Sequence, residues 1–295
     1  MKLHKYILGS LIFLGLATGA YADNSAKEFI RYKGGTDADS GLQIAVTDYV
    51  CSGTTITLYG VVHVADADYY QKVQTDLDKF DVVLYEGVKQ GTKSNPETKV
   101  LNTIQKLMGE VLDLKFQKDG IDYTRKNLVH ADISMDELQD SLKGESITPF
   151  GQYLKTDQLE ALKPFLDMAG SFIKELMKQS PEMQMSLKSQ LAQQLSNADV
   201  SEQLSPEMKK AIVLDRNKIV IDTYLEYSRS HPDKKNYAVF YGAAHMPDLE
   251  TQLQAMGFTQ KSKRWMTAWK VTEIQHQDDE DTLPRREPQD RKEDK

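Results

Sequence analysis

The segment LYGVVHVAD at residues 58–66 returns, varied, as FYGAAHMPD at residues 240–248. The two share Tyr, Gly, a pair of small apolar residues, His, and an Asp three residues after the His. Each reads as a junction between a strand and a helix. A glycine lets the strand end approach a neighbour or ligand closely, and the Asp is placed to cap the helix that follows. In open α/β sheets, ligands bind in the crevice beyond the carboxyl ends of the strands, which is where His63 and His245 fall. Either histidine alone would more often be a core or loop residue. Two in the same local frame need a shared reason, so the fold that suits this chain gathers both into one site.

The rest of the chain agrees with an α/β fold: a mixed sheet with flanking helices, pseudo-repeated strand-GxxH-helix units and a helical insertion. LQIAVTDYV and TTITLYGVV are rich in β-branched and aromatic residues around Ser52-Gly53, which predicts a hairpin. After His63, a helix through Tyr70, Val73 and Leu77 leads to the apolar run DVVLYE, which suits a buried parallel strand and completes a βαβ unit. NLVHAD reads as a further strand, and Ser134 with Glu137 as the capping box of the next helix. A helical insertion is expected over about 145–230, interrupted at Ser180-Pro181 and Ser205-Pro206, because proline suits a first helical turn. Then NYAVFYG predicts a strand, Pro247 and Asp248 open a short helix, and FTQKSKRWMTAWKV ends the fold in strands at a sheet edge.

Both ends of the chain read differently. Residues 1–22 carry Lys2 and Lys5, then an apolar run, then Ala20-Tyr21-Ala22, the pattern of a signal peptide cleaved after Ala22. Export to the periplasm or the exterior is expected. The run is short for a bilayer span, so no stable membrane anchor is expected. Losing Lys2 and Lys5 takes the formal net charge from −7 to −9, which argues against nucleic acid as a partner. Residues 273–295 are charged in both signs and nearly free of large apolar residues, so a disordered tail is expected beyond a domain over 23–272. The lone Cys51 has no cysteine to pair with inside the chain and gets a structural role.

Several residues gather chemical meaning around the two histidines. Glu86 ends an apolar strand, where an unpaired charge would be costly to bury, and a metal ion or a histidine would satisfy it. Two His and one carboxylate form a ligand set for a catalytic metal with an open position. Asp132 also ends a strand and could add a second carboxylate as ligand or base, or serve as a local cap. Arg216 falls on the apolar stripe of its helix, between Ile212 and Ile219, so its guanidinium must meet Glu86, Asp132 or a bound anion. Asn217 at the edge of that stripe could hydrogen-bond the same ligand. His130 carries no independent signal. The methionines at 168, 177, 183, 185 and 208 could offer an adaptable substrate surface, or could be core.

These residues also carry a resemblance. The chain resembles the TraB/Tiki (GumN-like) family and, more widely, the erythromycin-esterase and ChaN-like group, marked by two GxxH motifs with an intervening glutamate and an Arg-Asn pair. Here they read GVVH from Gly60, LYEG around Glu86, DRN at residues 215–217 and GAAH from Gly242. The resemblance implies an α/β fold with internal pseudo-repeats, a metal-dependent peptidase activity as proposed for Tiki members, and haem binding as in ChaN-like relatives. The expected function is an exported metal-dependent hydrolase acting on peptides. Its metal (Mn, Co, Zn or Fe) would be held by His63, Glu86, His245 and Asp132, with Glu86, Arg216 and Asn217 as catalytic groups and a peptide or small-molecule substrate. Two alternatives stay open: a non-catalytic haem- or peptide-binding protein, and a metal-free ester hydrolase with a histidine as general base.

Overall fold

The computed structural model describes residues 28–89, 91, 92, 96–142, 144–146, 156–197 and 204–271. The expected leader at 1–22 and tail at 273–295 lie outside the described residues.

β2 (Gly41–Cys51) and β3 (Thr54–Val61) form the expected hairpin. Ser52 and Gly53 both take positive φ, 47° and 80°, the backbone of a two-residue turn that matches strand twist. β3 leads through His63 into the short β4 (Val64–Ala65) and then α1 (Ala67–Leu77), after which β5 (Val82–Tyr85) returns parallel to β3. Then come α2 (Pro96–Val111), β6 (Lys115–Phe116), α3 (Gln117–Gly120), β7 (Leu128–His130) and α4 (Met135–Leu142). Ser134 and Glu137 form the capping box of α4: Ser134 Oγ accepts from the Glu137 N–H, and Glu137 accepts from the Ser134 N–H.

The helical insertion comprises α5 (Thr156–Gln179), α6 (Pro181–Asn197), α7 (Pro206–Lys209) and α8 (Asp215–Ser230). Pro181 and Pro206 sit at helix starts as expected, and Ser205 caps α7 through the Met208 N–H. Between α7 and α8 the chain forms a π-helical stretch, Lys210–Leu214. β8 (Asn236–Gly242), a 3-10 turn (Ala243–His245), α9 (Met246–Ala255) and β9 (Thr259–Lys270) follow. The expected strands of the final segment are one, β9, paired along β2. Among the described residues no helix is long and apolar enough to cross a membrane.

With β1 (Ile30–Lys33), the main sheet runs β1-β2-β3-β8-β5-β7, and β9 also pairs with β2. β3, β8, β5 and β7 are mutually parallel, so their carboxyl ends share one edge. The expected βαβ unit is more open than its sequence suggests, because β8 inserts between β3 and β5. Alternate residues of β8 serve opposite cores. Ala238 and Phe240 pack with Tyr69, Tyr70 and Val73 of α1, and Tyr237, Val239 and Tyr241 with Val220 of α8 and Leu249 of α9. The sheet is thus covered on both faces, which explains its near-continuous apolar strands.

The two repeated segments are neighbours in this sheet, out of step by one residue. Gly60 pairs with Tyr241, and Val61 with Gly242. Since side chains alternate, the stagger turns matching residues to opposite faces: Tyr59 belongs to the α1 side and Tyr241 to the α8 side. Neither Asp caps its helix with its side chain, against expectation. Asp66 stands at the N-cap position of α1 but accepts from Lys188 Nζ at 2.7 Å and the Lys270 N–H at 2.6 Å. Asp248 lies inside α9 and accepts from Asn217 and Gln252.

Candidate active site

The carboxyl edge of the parallel strands collects the expected residues in the order His63, His245, Glu86, Asp132, each just beyond the end of β3, β8, β5 or β7. The Glu86 N–H donates to Phe240 O at 3.0 Å, which brings the glutamate against the end of β8. There the Gly242 N–H donates to Glu86 Oε2 at 2.6 Å, and a Cβ on Gly242 would come within 3.3 Å of that oxygen. The glycine of the second GxxH therefore permits the close approach expected of it.

Arg216 comes in from α8, two residues after the π-helical stretch ends. Its side chain is buried, and it meets both carboxylates instead of choosing one. Nη2 donates to Glu86 Oε1 at 2.6 Å and to Asp132 Oδ2 at 2.7 Å, and Nε to Asp132 Oδ1 at 2.8 Å. Nη1 reaches the carbonyl of Ile212 at 3.3 Å, inside the π stretch. Such stretches shift the side chains that follow them relative to a regular helix, and they recur at functional sites.

Asp132 has no room for a further ligand. Oδ1 accepts from Arg216 and the Ile133 N–H at 2.8 Å, and Oδ2 accepts from Arg216 and the Gly87 N–H at 2.9 Å. These four bonds fill the acceptor positions of a carboxylate, so Asp132 anchors Arg216 and has none left for an ion. Glu86 differs: with one hydrogen-bond partner on each oxygen among the described residues, it keeps acceptor capacity, and its side chain is 14% exposed. Burial alone would raise the Glu86 pKa. Arg216, then the imidazoles of His245 and His63 and the Gly242 N–H, outweigh burial and hold the carboxyl well below its ordinary range. Burial opposes the charge of Arg216 too, but Glu86 and Asp132 raise its pKa further.

His245 is 4% exposed, and its hydrogen bonds fix its tautomer. Asn217 Nδ2 donates to Asp248 Oδ2 at 2.8 Å and to His245 O at 3.1 Å, so Asn217 Oδ1 is the atom that faces the ring. That oxygen lies 2.7 Å from His245 Nδ1, which must carry a proton, leaving Nε2 with a bare lone pair. Burial, with help from Arg216 and against the pull of Glu86, drives the His245 pKa down to about 4, so the ring is neutral at neutral pH. Nε2 stands 3.8 Å from Glu86 Oε1. Asn217, expected among the catalytic groups, is fully buried and acts on His245 instead of reaching a ligand.

His63 is exposed and more loosely held. Its Nδ1 lies 3.3 Å from Gln117 Oε1, while Gln117 Nε2 donates to the phenol oxygen of Tyr123 at 2.9 Å. The charges of Glu86 and His245 are both influenced by His63, which places the ring on the open side of the same site. Gln117 and Tyr123 carried no sequence signal, since they lie in a short stretch without periodicity. His130 is structural: its Nε2 donates to the Gly87 carbonyl at 2.6 Å and its ring packs edge-on against Tyr85.

No family model, curated protein or solved structure matches the chain. Function must therefore be argued from the site itself. Two atoms sharing one ion at about 2.1 Å each stand no more than about 4.2 Å apart, so His245 Nε2 and Glu86 Oε1 at 3.8 Å fit a common divalent ion. Among the described residues no three His, Cys, Asp or Glu side chains form a complete coordination group. The third donor would be His63, whose exposed side chain is free to change rotamer on a picosecond-to-nanosecond scale.

Proposed function

We propose that the chain is an exported, divalent-metal-dependent hydrolase of peptides, similar in its site residues to the TraB/Tiki family. His245 and Glu86 form a ready pair, and His63 would supply the third donor to an ion. The observation that carries this reading is the His245 tautomer: a neutral ring with Nδ1–H tied to Asn217 and a bare Nε2 3.8 Å from Glu86. Metal-binding histidines are oriented in the same way by partners on the other ring nitrogen. A bound ion would polarise a substrate carbonyl and make hydroxide available near neutral pH.

The chain's own residues do the rest. Asp132 holds Arg216, Arg216 holds one oxygen of Glu86, and the Gly242 N–H holds the other, so the carboxylate is fixed before anything binds. With His245 near pKa 4, a role as general base at neutral pH is less well supported, since such a base works best near the operating pH. Haem is also less well supported: the groups bordering His245 are Glu86, Asn217 and the aromatic Tyr241, and charge this close suits an ion better than a macrocycle.

Metal analysis of the purified chain tests the reading. About one equivalent of Mn, Co, Zn or Fe is expected, lost when His63→Ala and His245→Ala are combined, with chelator-sensitive cleavage of a mixed peptide substrate. Metal content unchanged by the double substitution would refute it. A haem absorption band on titration, lost with His245→Ala, would favour a carrier, and ester hydrolysis that survives chelation would favour the metal-free enzyme.

A further inference from the structure

Tyr123 lies between α3 and β7, beside the site, and the proposed metal site makes no use of its hydroxyl. Three contacts locate its phenol. Gln117 Nε2 donates to it at 2.9 Å while the same amide faces His63 through Oε1, the Tyr123 ring packs on the ring of Tyr85 with centroids 5.2 Å apart, and Tyr85 immediately precedes Glu86. Through Gln117 the phenol is tied to the His63 side of the site, close enough for the Glu86 charge to act on it. Its oxygen already accepts a hydrogen bond from Gln117, and among the described residues nothing accepts the hydrogen bond that the phenol itself can donate. A phenol is both donor and acceptor, so one half of its capacity remains unused. Burial, with the nearby Glu86 charge adding to it, pushes the Tyr123 pKa up to about 12, and the group stays protonated at neutral pH.

We propose that Tyr123 is a further catalytic residue of this site, whose O–H donates a hydrogen bond to the carbonyl oxygen of the substrate as hydroxide adds to the carbonyl carbon. In that step the new C–O bond forms, the carbonyl π pair moves onto the oxygen, and the phenol stabilises the negative charge there while keeping its own proton. Gln117 is a positioning residue: it is buried, its backbone N–H donates to the His63 carbonyl at 2.8 Å, and its side chain spans from His63 to Tyr123. The substrate class is thus an acyl compound with a carbonyl oxygen directed at the Tyr123 side, a peptide bond being the case proposed above.

The assignment rests on the metal reading, and the test separates the two. The chain is loaded with Co(II), and acetohydroxamate, whose oxygens stand in for the charged carbonyl oxygen, is titrated while the visible Co(II) spectrum is followed. Tyr123→Phe keeps the ring against Tyr85 and removes only the hydroxyl. It is expected to take up Co(II) as the wild type does and to bind acetohydroxamate about tenfold more weakly, the loss typical of one hydrogen bond to a charged group. Equal acetohydroxamate affinity in the two proteins, with Co(II) bound by both, overturns the Tyr123 assignment alone. Failure of the wild type to take up Co(II) overturns the metal reading and the role of Tyr123 with it. Gln117→Leu supplies a second arm. It should weaken acetohydroxamate binding through loss of the phenol's support, and an unchanged affinity there also counts against the proposal.

Discussion

The two GxxH junctions are close in sequence pattern and unlike in construction. The second is closed and rigid: Gly242 lies against Glu86, His245 is buried, and Asn217 ties the imidazole to Asp248 on the next helix. The first is open: His63 is exposed, its one ring partner among the described residues is at 3.3 Å, and Gly60 faces the backbone of β2 instead of the site. Instead of entering a helix at once, the first junction passes through β4, and its Asp66 is drawn away to Lys188 and Lys270. A repeated motif has thus been divided between a preformed half and an adjustable half, an arrangement that suits the ion and substrate proposed for the site.

The largest effect should come from removing the charge that holds the closed half together. Arg216→Met leaves Glu86 and Asp132 facing each other without a cation, and breaking a buried ion pair in this way costs about 3–5 kcal/mol. Urea denaturation should report a loss of this size. A loss under about 1 kcal/mol, the scale of an exposed pair, would mean that the closed half is not closed in solution.

Acid should act on the same half. The unfolded chain takes up a proton on His245 as pH falls below its ordinary value of 6.5, whereas the folded chain refuses it until about pH 4. Stability is therefore complete above pH 6.5 and falls as pH drops through that window, by roughly 3 kcal/mol in full. Glu86 extends the loss: its lowered pKa contributes stability above the unfolded carboxylate value near about 4.3, and that contribution fades as pH falls further. In chelator, His245→Asn, which keeps a donor for Asn217, should show a clearly flatter stability profile between pH 6.5 and 4. An unchanged slope would locate the acid sensitivity elsewhere.

Much of the closed half is legible in the sequence. Arg216 fell on an apolar stripe, and a guanidinium there had to find carboxylates; Glu86 ended a run too apolar to leave its charge alone. The capping box at Ser134 and the turn at Ser52-Gly53 follow local rules, whereas the caps expected at Asp66 and Asp248 give way to distant partners. What depended on distant pairing did not show. The one-residue stagger between Gly60 and Gly242 is set by which faces of β3 and β8 suit the two cores, and no window of sequence contains both strands. The insertion of β8 between β3 and β5 is hidden for the same reason. Asp132 read as a ligand because its saturation comes from Gly87, Ile133 and Arg216, of which only Ile133 is its neighbour in sequence. Gln117 stayed unseen because a single amide in an irregular stretch has no pattern to break.

The glycines give the next comparison. A Cβ on Gly60 would meet Ile44 Cγ2 at 3.0 Å and the Ala45 carbonyl at 3.3 Å, neighbours fixed within β2. Gly60→Ala should therefore cost about 1–3 kcal/mol by overpacking and leave ion binding intact. Gly242→Ala meets Glu86 Oε2 at 3.3 Å, a side-chain atom that can shift. It should cost less stability and weaken ion uptake, because the atom displaced belongs to the proposed ligand. Both effects are read from melting curves and Zn(II) titration, and the reverse pattern would mean that the roles of the two junctions have been exchanged.

The finest distinction lies in the amides behind the histidines. Loss of a group that orients a metal-binding histidine typically weakens the metal by about 10–100-fold. Asn217→Leu strips His245 of its tautomer-fixing partner and leaves Asp248 short of a donor, so Zn(II) affinity should fall within that range. Gln117→Leu removes a longer bond from an exposed ring that must turn in any case, and its loss should stay at or below about tenfold. Competition with a coloured chelator measures both. Equal losses would show that His63 is held as firmly as His245, and the contrast between a preformed and an adjustable half would then have to be given up, with the site treated as two equivalent ligands.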